Sequence, residues 1–135
     1  MLTGKKILIV EDSPTVRYEV RLIVQKMGIT LVEAANEIGL FTMIEEYGKC
    51  VDMVIMDLTL KYENGFDLIQ KLKSSQRYAN LPILVLTEHA DVNNVLKARE
   101  LGVSGYLRKP IQKDELIGRV TGILSAEKKQ PVEKK

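Results

Sequence analysis

Short, almost continuous apolar runs alternate along this chain with longer segments whose apolar residues recur at helical spacing. Ile7-Leu8-Ile9-Val10, the stretch Val51 to Thr59 around Val54-Ile55-Met56-Asp57, and Leu81 to Thr87 are compact runs of the kind left by strands buried on both faces of a parallel sheet. Ile29 to Ala34 and Val103 to Arg108 are two further candidates. The segments between them read as helices. Val16, Val20, Ile23, Val24 and Met27 follow Ser13-Pro14, with Ser13 or Asp12 as N-cap, Pro14 at the first helical position and Gly28 as the stop. Asn36 precedes a helix carrying Ile38, Leu40, Phe41, Ile44 and Tyr47, and the turn signal Asn64-Gly65 precedes one carrying Phe66, Leu68, Ile69 and Leu72. Val92, Val95, Leu96, Ala98 and Leu101 mark a fourth helix with a thinner apolar face; Leu116, Ile117, Val120, Ile123 and Leu124 mark a fifth.

Five strands alternating with five helices, without internal repeats or low-complexity segments, predict an α/β domain built on one doubly wound parallel sheet with helices on both faces. Right-handed crossovers leave few topologies, and the strand order 2-1-3-4-5 is the one expected. That order sets the first and third strands side by side where the winding reverses. Both end in acid, Glu11-Asp12 after the first and Asp57 at the end of the third. Ligands of such sheets bind beyond the carboxyl ends of the strands at that point.

Composition narrows the function classes. The 135 residues suit one domain, expected over residues 1–126, with 127–135 as a charged tail or the start of a linker. A domain of this size buries roughly 65–70% of the surface its unfolded chain exposes, so it needs no disulfide. A formal net charge of +2, partly from the last residues, gives no reason to invoke nucleic acid. The lone Cys50 excludes an internal disulfide and a Cys-rich metal site. No apolar run approaches the ~18 residues of a membrane span and no signal peptide opens the chain, which makes the cytoplasm the default expectation.

Three carboxylates at one sheet edge repel one another by about 4 kcal/mol per pair at 4 Å and an effective dielectric near 20. A hard divalent cation offsets this, and Mg²⁺ suits a site that joins carboxylates to a phosphate. Zinc is disfavoured by a chain with one His and one Cys, far apart. Lys109, just past the fifth strand, and Thr87, at the end of the fourth, can reach the same edge. With a metal they make a cradle for a phosphoryl group. Asp57 is then the candidate nucleophile, since an ionised carboxylate needs no general base.

These residues carry a resemblance. Ile7-Leu8-Ile9-Val10-Glu11-Asp12, Val54-Ile55-Met56-Asp57, Asn64-Gly65, Leu84-Val85-Leu86-Thr87 and Tyr106-Leu107-Arg108-Lys109-Pro110, in that order, resemble a response-regulator receiver domain of bacterial two-component signalling over nearly all of Lys5 to Leu124. The resemblance implies a flavodoxin-like fold. It also implies that Asp57 accepts phosphate from a histidine kinase or phosphotransfer protein, with Mg²⁺ held by Asp12, Asp57 and the main-chain carbonyl of Thr59, and Glu11 acting through metal-bound water. Lys109 would pair with the phosphoryl group, and Thr87 would swing to bond it. Tyr106 would turn inward, rearranging the surface of the fourth helix, fifth strand and fifth helix. Lys109-Pro110 would be a cis peptide. Such a domain catalyses its own phosphorylation and slow dephosphorylation without separate substrate turnover, and acts on a partner protein or an output domain. A homodimer through the same surface is compatible with the resemblance.

Some positions depart from the usual receiver pattern. Glu88 follows Thr87 where a small residue is common, and its bulk and charge are expected to restrict access of small phosphodonors to Asp57. Lys61 stands in place of a common proline, and Thr59 and His89 occupy positions that tune the lifetime of the phosphorylated state in similar receivers. Two other classes remain: a receiver-like module that acts by protein contact alone, and a flavin carrier or enzyme on the same fold. No Gly-rich phosphate loop follows the first strand, which counts against the latter.

Overall fold

A computed structural model describes residues 2–133, with side chains through residue 126. Its strands are β1 (Lys6–Val10), β2 (Thr30–Ala34), β3 (Met53–Asp57), β4 (Ile83–Thr87) and β5 (Gly105–Arg108). Its helices are α1 (Pro14–Gln25), α2 (Glu37–Tyr47), α3 (Gly65–Lys73), α4 (Val92–Glu100) and α5 (Lys113–Glu133), with one 3-10 turn at Gly48–Cys50. The strands form one parallel sheet in the order β2-β1-β3-β4-β5, as the alternation of strands and helices predicts. The charged stretch 127–135, expected as a tail or linker, falls outside the residues whose side chains are described.

The alternation within each strand divides the core. Leu8 and Val10 face Leu40 and Ile44 of α2 and Phe66, Leu68 and Leu72 of α3, whereas Ile7 and Ile9 face Val20 and Val24 of α1 and Leu116, Val120 and Leu124 of α5. Every residue of β3 and β4 is buried, which is why both read as unbroken apolar runs. Edge strands β2 and β5 are buried in part only. Among the described residues, α4 buries Ala98 alone and leaves Val92 and Leu96 exposed, the thin face expected for it.

Caps fix the helix starts. Ser13, rather than Asp12, caps α1 by accepting the Val16 N–H. Asn36, Asn64 and Asp91 do the same for α2, α3 and α4. Gly28, at φ +82°, turns the chain from α1 into β2.

Glu33 on β2 ties α1 to the sheet: its carboxylate accepts from Arg17 Nε at 3.0 Å and from Arg21 Nε at 2.6 Å. The Arg21 hydrogen bond, helped by Arg17 and opposed by burial, holds the Glu33 carboxyl below its usual range. A depressed folded-state pKa contributes stability above the unfolded value, and that stability is lost as pH falls through the folded value. Glu33→Gln is therefore expected to lower Tm by a few degrees at pH 7, with the gap to the wild type closing at acid pH. A pH-independent gap in thermal scans would instead point to lost packing.

Candidate functional site

Four strands deliver polar side chains to the C-terminal edge of the sheet. Val10 pairs with Met56 and Asp57 with Leu86, so Glu11, the next residue after β1, stands beside the end of β3. One carboxylate oxygen from each of Glu11, Asp12 and Asp57 lies within 4.8 Å of the others. Thr87 pairs with Arg108 at the ends of β4 and β5, which brings Lys109 to the same edge. Its ammonium is 2.9 Å from Glu11 Oε1 and 3.5 Å from Asp57 Oδ2.

Glu11, Asp57 and Thr87 are the buried polar residues of the domain, at 0%, 1% and 0% exposure. Burial drives the Glu11 carboxyl up to about 7, with the nearby Asp57 charge adding to the rise and Lys109 opposing it. Burial works against the Lys109 charge too, but the Glu11 hydrogen bond and the charges of Asp57, Glu11 and Glu88 outweigh it and leave the ammonium above its ordinary pKa. Lys109 meets Glu11 Oε1 as an ion pair; that oxygen has no hydrogen bond of good geometry and remains short of a partner. An all-oxygen donor set, excess negative charge and an under-satisfied buried oxygen fit a hard cation such as Mg²⁺. His89 and Cys50, exposed and elsewhere in the fold, do not join the cluster.

The loop after β3 closes over this edge. The Thr59 N–H donates to Asp57 Oδ1 at 3.1 Å, and the Lys61 N–H to Asp12 Oδ2 at 2.6 Å. Thr59 bridges to Asn64, and the Gly65 N–H returns to the Leu58 carbonyl at 3.0 Å. Gly65 must be glycine for this closure, because a Cβ there would lie 2.3 Å from the Asp57 carbonyl oxygen and 2.7 Å from Leu58 Cα. Gly65→Ala is expected to push α3 off the end of β3 and cost about 1–3 kcal/mol of stability. An unchanged urea midpoint would show that α3 retreats freely.

On the other side, the Thr87 hydroxyl accepts the His89 N–H at 3.0 Å, and the His89 carbonyl accepts from the Tyr106 hydroxyl at 3.0 Å. Thr87 and Tyr106 are thus tied to opposite ends of one residue. The Lys109-Pro110 peptide is cis. Glu88 is exposed and, with Ser13, Thr15, Glu19, Lys109 and Pro110, lines an open cleft of about 470 Å³ beside the acidic cluster.

A model of the response regulator receiver domain matches residues 7–121. The chain belongs to that family. Curated receivers like it include the chemotaxis protein CheY of Pseudomonas aeruginosa, 29% identical over 78% of this chain and 84% of that protein. The phosphate regulon transcriptional regulatory protein PhoB of the same species is 28% identical over 91% of this chain and 53% of that protein. The Arabidopsis thaliana response regulator-like APRR7 is 28% identical over 82% of this chain but only 15% of its own length, so this receiver spans about half or less of these longer relatives. A LuxR-family response regulator from Aurantimonas superposes with a TM-score of 0.81 at 30% identity, covering 92% of this chain and 87% of that one. Vibrio cholerae CheY4, at 23% identity, shares the fold with a TM-score of 0.82 over 90% of this chain and 99% of that one. The chain is a receiver domain of the kind found in two-component response regulators.

The receiver brings together every side chain expected at the edge: Glu11, Asp12, Asp57, Thr87 and Lys109, with Thr59, Glu88 and Tyr106 around them. Sequence reasoning missed the main-chain contributions. The amides of Ser13, Thr59 and Lys61 each hold one of the carboxylates, and backbone donors leave no mark on residue type.

Proposed function

We propose that Asp57 is the phosphoacceptor of a phosphorelay. The observation that carries this reading is a buried carboxylate at the end of β3, facing two further acids on one side and the Lys109 ammonium on the other. A carboxylate oxygen of Asp57 attacks the phosphorus of a phosphohistidine on a histidine kinase or phosphotransfer protein. The P–O bond forms as the P–N bond breaks, and the imidazole leaves with a proton from solvent. Asp12, Asp57 and the Thr59 carbonyl would hold Mg²⁺, with Glu11 acting through bound water; the ion, when bound, neutralises charge on the transferring group. Lys109 supplies a fixed positive charge to the phosphoryl oxygens. Glu88 sets a negative charge at the cleft mouth, which disfavours small anionic donors.

The Thr87 hydroxyl must give up the His89 N–H to bond the phosphoryl group, and His89 also holds Tyr106. Phosphorylation thereby reaches the face built from α4, β5 and α5. A shallow groove of about 330 Å³ there is lined by Val95, Ala98, Arg99, Ser104, Tyr106 and Arg119, next to exposed Val92 and Leu96. This is the surface offered to an output domain, a target protein or a second copy of the chain. His89 and Thr59, flanking Thr87 and Asp57, are placed to tune how long the acyl phosphate lasts. The two-component role places the receiver in the cytoplasm, and no described helix is long and apolar enough to cross a membrane.

Incubation with beryllofluoride, or with a phosphorylated histidine kinase, tests the reading. Mg²⁺-dependent beryllofluoride uptake and gain of one base-labile phosphoryl group by intact mass are expected, both blocked by EDTA. A module acting by contact alone would show neither.

A further inference from the structure

We propose that the backbone amide of Lys61 is a positioning group for the metal site: it fixes the Asp12 carboxylate with one oxygen free for the ion and so raises Mg²⁺ affinity. The inference rests on the reading of Glu11, Asp12 and Asp57 as ligands of that site. The three carboxylates are held alike, each by one main-chain amide on one oxygen. Ser13 N–H donates to Glu11 Oε2 at 3.1 Å, Thr59 N–H to Asp57 Oδ1 at 3.1 Å, and Lys61 N–H to Asp12 Oδ2 at 2.6 Å. Lys109 adds a second hold on Glu11 and Asp57. Asp12 has no such cation among the described residues, and it is only partly buried. The Lys61 amide is therefore the restraint that keeps its carboxylate from rotating into solvent.

The donor is itself held in place. Leu60, at 7% exposure, anchors the loop in the core, and the Thr59 to Asn64 bridge closes the turn around residue 61. The Lys61 side chain takes no part, since its ammonium lies over the exposed Tyr62 ring, 5.6 Å from the centroid. The requirement at this position is an N–H, which every residue supplies except proline. Outer hydrogen bonds to metal-ligating groups typically contribute 10–100-fold to affinity.

Titration calorimetry with MgCl2 on wild type, Lys61→Pro and Lys61→Ala tests this. Lys61→Pro, lacking the donor, is expected to bind Mg²⁺ about 10-fold more weakly or worse. Lys61→Ala, which keeps it, should stay within about twofold of wild type because an exposed charge is screened. Equal or tighter binding by the proline variant, or an equal loss in both variants, overturns the inference while leaving the metal site standing. Failure of wild type to bind Mg²⁺ overturns both. A second measurement needs no substitution: the Lys61 amide proton should remain protected from exchange when wild type is saturated with Mg²⁺. Loss of that protection would mean that the ion displaces the bond rather than using it, and the proposal would fall.

Discussion

Asp57→Ala is expected to abolish phosphoryl incorporation and, in EDTA, to make the protein more stable than wild type. The first effect follows from chemistry: no other carboxylate at the sheet edge both ends a strand and touches Lys109 with an oxygen held by a backbone amide on its other side, except Glu11, which reaches the lysine with the oxygen that pairs most tightly. The second follows from charge. Asp57 faces two carboxylates and one ammonium, each worth about 4 kcal/mol at 4 Å and an effective dielectric near 20, so its net interaction is repulsive. Removing it forfeits the Thr59 hydrogen bond, about 1 kcal/mol. The balance is a gain on the order of 1–2 kcal/mol. Saturating Mg²⁺ should erase that gain, because wild type then binds the ion more tightly than the variant. Intact mass reads the first effect, and urea unfolding with and without Mg²⁺ reads the second. Labelling that persists in the variant would move the phosphoacceptor elsewhere, and unchanged stability in EDTA would mean the carboxylates are not in conflict.

That conflict was legible in the sequence because strand ends are. β1, β3 and β4 are interior strands whose alternate residues face two helical layers, so their apolar runs stop sharply at Glu11, Asp57 and Thr87. Once the order of strands is inferred, those stops converge. Boundaries elsewhere were less clear. Leu81 and Pro82 extend the apolar run before β4 but lie outside it, with the Pro82 carbonyl accepting the Val54 N–H at 2.9 Å. Likewise Val103 and Ser104 precede β5, which begins at Gly105, although the Ser104 N–H already bonds Ile83. α5 starts at Lys113, a turn ahead of its first apolar residue, because its opening turn is Lys113-Asp114-Glu115. The grip on Asp12 could not be read at all, since it depends on where the chain after Asp57 folds back and not on which side chain stands at 61.

Lys109→Met should have the largest effect on stability of any substitution at the edge, and in the opposite sense to Asp57→Ala. The ammonium is buried against Glu11 and Asp57 with 12% of its side chain exposed, so its removal strands two buried carboxylates. Breaking such a pair from one side costs about 3–5 kcal/mol. Glu11 sets how that loss depends on pH. Its folded-state carboxyl stands near 7, above the ordinary value of 4.5, because burial dominates even with Lys109 opposing the rise. A raised acid destabilises the fold when ionised, and the penalty lifts as pH falls through the folded value toward the unfolded one. Without Lys109 the rise is greater, so Glu11 takes up its proton at higher pH. The gap between variant and wild type is therefore widest in alkaline EDTA, narrows on acidification, and narrows again when Mg²⁺ supplies the missing positive charge. Urea unfolding across pH 5 to 9, roughly the span over which such a carboxyl titrates, measures each of these. A gap that neither acid nor Mg²⁺ reduces would mean that Lys109 holds the fold by packing and not by charge, and the cradle assigned to it would have to be rebuilt around another residue.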